Sequence, residues 1–186
     1  VDYYGNWKAF QYQVKRSYEN LLHSVNEEGD FYKVYIVNDA LENFTDELTW
    51  ELISFDGTSL WSITKEVNVE QNSSSVVLEI PKKEFEKFNL EKAVLNVRFE
   101  KQSSNYFFVK PKELNLTKPT IQITQKDDLT IEITTNVLAK NVFISSENQV
   151  FFDDNYFDLL PNEKKVIKLS KSVNEIKVQS LFDTIK

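Results

Sequence analysis

Residues 31–39, FYKVYIVND, alternate with period two: Phe31, Lys33, Tyr35 and Val37 share one face, and Tyr32, Val34 and Ile36 share the other. The second set is the expected core face of a strand. Working outward, LTWELISFDG (48–57) keeps the rhythm, with Leu48, Trp50, Leu52 and Ser54 inward and a turn at Asp56-Gly57. SLWSITKEVNV (59–69) places Leu60, Ser62 and Thr64 on one face and Trp61, Ile63, Lys65 and Val67 on the other. SVVLEI (75–80) reads as a short strand before Pro81, KKEFEKF (82–88) as a helical turn, and AVLNVRFEK (93–101) with NYFFVKP (105–111) as a closing hairpin around QSSN (102–105).

Further along, KPKELNLTKPT (110–120) is polar and carries Pro111 and Pro119, the composition of a linker. Beyond it TIQITQ, LTIEITTN, KNVFISS, KKVIKLS and EIKVQSL read as short strands, with DDNYFDLLPNEK between the third and fourth. Asp127-Asp128 reads as a hairpin turn. Turn signals recur at the spacing of a β-sandwich. The fold class is therefore mainly β: a helix over 1–26, a sandwich over 27–110, a linker over 111–119 and a smaller sandwich over 120–186.

The N-terminal stretch VDYYGNWKAFQYQVKRSYENLL (1–22) has a different period. Tyr3, Trp7, Phe10, Val14, Tyr18 and Leu21 recur at steps of three and four, so they fall on one helical face. Gly5-Asn6 supplies the turn and N-cap, Lys8, Gln11, Lys15, Arg16 and Glu19 form the other side, and the helix is expected to end between His23 and Asn26, with NEEGD (26–30) as a loop. A β protein that opens on an aromatic helix, at Val1 and without any Met, is expected to be a segment of a longer polypeptide.

Bulk properties narrow the function. The net charge of −7 repels phosphate backbones and anionic lipid, so neither nucleic acid nor a membrane is an expected partner. No apolar run reaches the roughly 20 residues that span a bilayer. With no Cys and one His, thiol chemistry, thiolate metal sites and most Ser-His-Asp arrangements are excluded. No metal or cofactor is expected, and no catalytic residue is assigned.

The remaining motifs each have a plain structural reading. Asp153, Asp154, Asn155 and Asp158 are oxygen-rich enough for Ca²⁺ but lack the alternation and central Gly of an EF-hand loop, so turn-making is the expected role. Trp50, Trp61, Phe55 and Tyr35 could form a sugar-stacking platform, although aromatics at period two normally fill a sandwich core. His23 is expected to cap the helix C-terminus. The sequons at Asn43, Asn72 and Asn115 occur at the frequency expected of an Asn-, Ser- and Thr-rich chain.

Asp2-Tyr3-Tyr4-Gly5, Trp7-Lys8-Ala9, Tyr12 and Lys15-Arg16 resemble the segment D-Y-[YF]-G-x-W-K-A-x-x-Y-x-x-K-R that follows the last barrel strand in β-mannosidases of glycoside hydrolase family 2. NYFFVKPKELNLTKPTIQI (105–123) resembles that family's junction between two C-terminal immunoglobulin-like domains. LAKNVFIS and DNYFDLLPNEKKVI, with their FDLLPxE pattern, resemble its last domain. The resemblance implies that the helix is the last of a (β/α)8 barrel and that two immunoglobulin-like sandwiches follow. It also implies a parent that hydrolyses terminal non-reducing β-D-mannose with retention. The acid/base and nucleophile, both Glu in that family, would lie upstream of Val1, and no position here matches either. Asp2 and Tyr3 would lie near the rim of the active site.

The expected function is then a non-catalytic accessory region, with the upstream barrel as its partner and a carbohydrate as the parent's substrate. A mannan-binding module and a dimerisation domain acting through the N-terminal helix are the alternatives. Asn, Lys, Ile and Phe usage suggests an AT-rich bacterium, in which export to the periplasm or medium is the expectation.

Overall fold

The computed structural model describes residues 1, 3, 5–99 and 102–184. These group into two compact units: Ser17–Ser54 with Thr58–Asn115, and Val1–Arg16 with Phe55–Gly57 and Leu116–Lys186. All strand pairs among the described residues are antiparallel.

In the first unit, β1 (Leu21–Glu28), β2 (Phe31–Asn38) and β5 (Ser73–Pro81) form one sheet in the order β1-β2-β5. The other sheet has the order β4-β3-β6-β7, built from β3 (Phe44–Ser54), β4 (Ser59–Val69), β6 (Ala93–Phe99) and β7 (Gln102–Tyr106). One hydrophobic cluster joins both sheets: Val34 and Ile36 from β2 and Ile80 from β5 meet Leu48, Trp50 and Leu52 from β3 and Leu95 and Val97 from β6. Tyr32, Val34 and Ile36 on β2 and Leu48, Trp50 and Leu52 on β3 are buried as expected, whereas Ser54 is only half-buried and Ile53, from the opposite face, is buried too. A sheet with one face dry and one wet imposes this alternation, which is why period two is legible in the sequence.

Two expectations fail here. The chain does not continue as a helix to His23: α1 covers only Ala9–Ser17, and Leu21 begins β1. Residues 21–28 pair in continuous register with 38–31, and Asp39 N–H donates to Asn20 O at 2.8 Å. That ladder satisfies backbone groups along the whole stretch, so it outcompetes further helix turns. Of NEEGD only Gly29-Asp30 is turn, with Gly29 at φ 56° in a two-residue hairpin. Secondly, QSSN is strand β7. Asn96, buried on β6, donates to Ser103 Oγ and Asn105 Oδ1 at 2.7 Å each, so polar residues that look like a turn are held as a sheet edge. Glu100 and Lys101, between β6 and β7, lie outside the described residues.

The second unit is smaller. Its sheets have the orders β12-β9-β8 and β11-β10-β13, from β8 (Ile121–Asp127), β9 (Thr130–Thr135), β10 (Ala139–Ser145), β11 (Phe157–Leu159), β12 (Lys165–Lys168) and β13 (Lys177–Gln179). Ile131, Ile133, Val142, Ile144, Leu159 and Ile167 form its core. The Asp127-Asp128 turn forms as expected, with Leu129 N–H donating to Asp127 Oδ1 at 2.8 Å. Gly57, also in this unit, has φ 91°, and a Cβ there would stand 2.9 Å from Pro161 Cγ. The segment expected as a linker contains a 3-10 turn, Pro111–Glu113.

Candidate functional site

Helix α1 has two unlike faces. Tyr12, only 3% exposed, is its buried residue, and its hydroxyl donates to Phe152 O at 3.2 Å. Burial, reinforced by the nearby Asp154 carboxylate, pushes the Tyr12 phenol up to about 12. Three residues on, Lys15 Nζ donates to Asp153 O at 2.9 Å. Arg16 follows with a fork: Nη1 reaches Asp154 Oδ1 at 2.6 Å and Asn155 O at 3.2 Å, while Nη2 reaches Tyr156 O at 3.1 Å. A planar guanidinium serves such a set of acceptors where an ammonium would not. Trp7, just before the helix, completes the face, edge-on to Phe151 at 4.9 Å and to Tyr12 at 5.3 Å. These contacts pin α1 to the smaller sandwich.

The other face points outward. Phe10 is 77% exposed, and Tyr18, just past the helix end, is 83% exposed. Of the stripe that the helical period singles out, Tyr3, Phe10 and Tyr18 are exposed, whereas Trp7 joins the attached face and Leu21 is buried in β1. Tyr12 and Arg16, outside that stripe, make the attachment. Their shared signal is the i, i+4 spacing of Tyr12 and Arg16 with Lys15 between, which a pattern counting only apolar residues passes over.

Tyr156 is the sandwich's answer to Arg16. It stands at φ 54°, uncommon for a ringed side chain, with its N–H donating to Asn155 Oδ1 at 3.0 Å and its ring stacked on Phe143 at 4.9 Å. Beside it, Trp7, Phe143, Phe151 and Tyr156 line an open groove of about 800 Å³, together with Asn148 and Gln149.

The four oxygen-rich residues are all engaged by the protein. Asp153 Oδ1 accepts Lys168 N–H at 2.8 Å, Asp154 pairs with Arg16 and with Lys165 at 2.7 Å, and Asp158 pairs with Lys140 at 3.1 Å. Asn155 clamps Ile144 through both its N–H and its carbonyl, at 2.8 Å each. Together these bonds latch the second unit, and among the described residues no three metal-ligating side chains converge. The proposed aromatic platform does not assemble either. Trp50 is wholly buried, Phe55 is 6% exposed, and Trp61 packs edge-on to Phe85 at 5.2 Å. Tyr35 donates to Glu28 at 2.7 Å.

His23, expected as a helix cap, lies in β1. Its Nε2 accepts the Trp50 indole N–H at 3.2 Å and its Nδ1 meets Ser104 Oγ at 3.1 Å. Burial lowers its pKa to about 4, so the neutral ring is the one that fits. Asn43, Asn72 and Asn115 are exposed. Of the pair placed near a barrel rim, Tyr3 is exposed and Asp2 lies outside the described residues.

With the geometry in place, two family models align end to end: the Mannosidase Ig/CBM-like domain over residues 30–113 and the mannosidase Ig-fold domain over 116–184. The chain thus carries a mannosidase Ig/CBM-like domain followed by an Ig-fold domain. No curated protein matches it in sequence. Among solved structures, this mannosidase Ig-like chain is similar to the β-D-mannosidase of Dictyoglomus thermophilum, with TM-score 0.80, 22% identity, and coverage of 97% of this chain and 24% of that one. It is also similar to the exo-chitosanase CsxA of Amycolatopsis orientalis, with TM-score 0.61, 15% identity, and coverage of 97% and 28%. The chain therefore spans about a quarter of the length of these structures. The likeness at such identities is one of fold. Within the mannosidase Ig-like chain the described strands form antiparallel sandwiches and contain none of the parallel strand pairs of a (β/α)8 barrel.

Proposed function

We propose that this chain is the C-terminal accessory region of a β-mannosidase-type glycoside hydrolase, a parent that releases terminal non-reducing β-D-mannose. Its role is to brace the catalytic barrel without taking part in the chemistry. The observation that carries this reading is the division of labour on α1: one face is locked to its own sandwich by Tyr12, Lys15 and Arg16, and the opposite face offers Phe10 to something else. An aromatic ring held outward on an anchored helix is a docking feature, worth roughly 1.5–3 kcal/mol when covered. The catalytic barrel is the partner that the two domain matches suggest.

The test is complementation. Added in trans to a β-mannosidase lacking its two C-terminal domains, the chain should bind and restore thermal stability, and Phe10→Glu should abolish that binding while leaving the chain folded. Equal binding by the Phe10→Glu variant would reject the docking face. The mannan-binding alternative loses its platform with Trp50 buried.

A further inference from the structure

The geometry points to the groove of the smaller sandwich as a binding site for a neutral, β-linked hexopyranoside chain. The groove lies wholly within one unit and, at about 800 Å³, exceeds the room one sugar ring needs. Its walls carry two aromatic pairs, Trp7 against Phe151 and Tyr156 stacked on Phe143. The lining also carries the uncharged hydrogen-bonding side chains of Asn148, Gln149 and Ser146, alongside Lys8, Glu147 and Lys171. A pyranose has a flat C–H face ringed by hydroxyls, so it needs this combination of ring surface and amide or hydroxyl partners.

Two further observations favour a ligand here. Ser146 Oγ is, among the described residues, the buried side-chain polar atom with no hydrogen-bond partner. Such a group is normally satisfied by a ligand or by water that a ligand can displace. Tyr156 is held at positive φ by Asn155 and by Arg16, and that backbone cost sets its ring on Phe143 at the groove wall. The groove's own charged lining, Lys8 and Lys171 against Glu147, is of both signs, and the chain's net charge of −7 disfavours uronic or sulfated chains, so a neutral sugar is the ligand proposed. The choice of hexopyranoside rests on the hydrolase reading above, whereas the aromatic-and-amide lining does not.

The experiment is a titration of the ¹⁵N-labelled 186-residue protein with mannohexaose and, separately, cellohexaose. The expected result is saturable shifts confined to the Trp7 indole, Asn148, Gln149 and Tyr156, with a dissociation constant of about 0.1–1 mM. Phe151→Ala and Asn148→Ala should each weaken binding at least about tenfold, and Asn148→Ala, at an exposed position away from the α1 attachment, should do so with the melting temperature unchanged. Absence of saturable shifts with both sugars at about 10 mM, or shifts that survive both substitutions, overturns the site. An empty groove in a chain that still complements a truncated enzyme defeats this inference alone. Sugar binding by a chain that also hydrolyses mannosides defeats the accessory reading instead.

Discussion

His23 shows how one residue ties a sheet to the pH. Its neutral Nε2 accepts from Trp50 at the centre of the first sandwich, and a protonated ring cannot accept. The folded state holds the pKa near 4, against 6.5 for the free side chain. Between those values the unfolded chain binds a proton that the folded chain refuses. The stabilisation is therefore complete above pH 6.5, falls as pH drops toward 4 and levels off below, amounting to about 3 kcal/mol over that window. Urea titrations of the protein across pH 7 to 4 should show the decline, and His23→Gln, which keeps an acceptor and removes the titration, should flatten that part of it. At the same scale, Gly57→Ala forces a Cβ against Pro161 at φ 91° and should lower stability by about 2 kcal/mol or more, read as a drop in the urea midpoint.

Among elements, α1 repays the closest comparison with its sequence. The strands around Tyr32, Val34, Leu48, Trp50 and Leu52 were legible because alternation along a half-wet sheet is a local property, readable from each residue and its second neighbour. Which side of α1 is buried is not local: both sides carry rings, and Asp153 to Tyr156, some 140 positions downstream, choose Tyr12 and Arg16 over Phe10. The same distance hides the end of the helix, since only the pairing of Leu21–Glu28 with β2 turns those residues into strand. Arg16→Ala removes three charge-assisted bonds and should release α1. Amide exchange within Ala9–Ser17 should then quicken about 30-fold, corresponding to roughly 2 kcal/mol, with the amides of β9 and β10 unchanged. Arg16→Lys should recover only part of the protection.

At the scale of the molecule, two antiparallel sandwiches, each closed around its own core, leave the outward-facing Phe10 ring of α1 and a mixed groove as the surfaces to which a role is proposed. The oxygen-rich cluster and the aromatics at period two each admit a binding and a structural reading in the sequence, for one reason. Asp, Asn and Trp serve packing and latching as readily as binding, and only their partners distinguish the roles. The central claim is that the chain supports a mannosidase without doing its chemistry. Incubating the purified chain with 4-nitrophenyl β-D-mannopyranoside tests it most directly: the account predicts nitrophenol release no faster than in buffer, and turnover that follows the purified chain would contradict it.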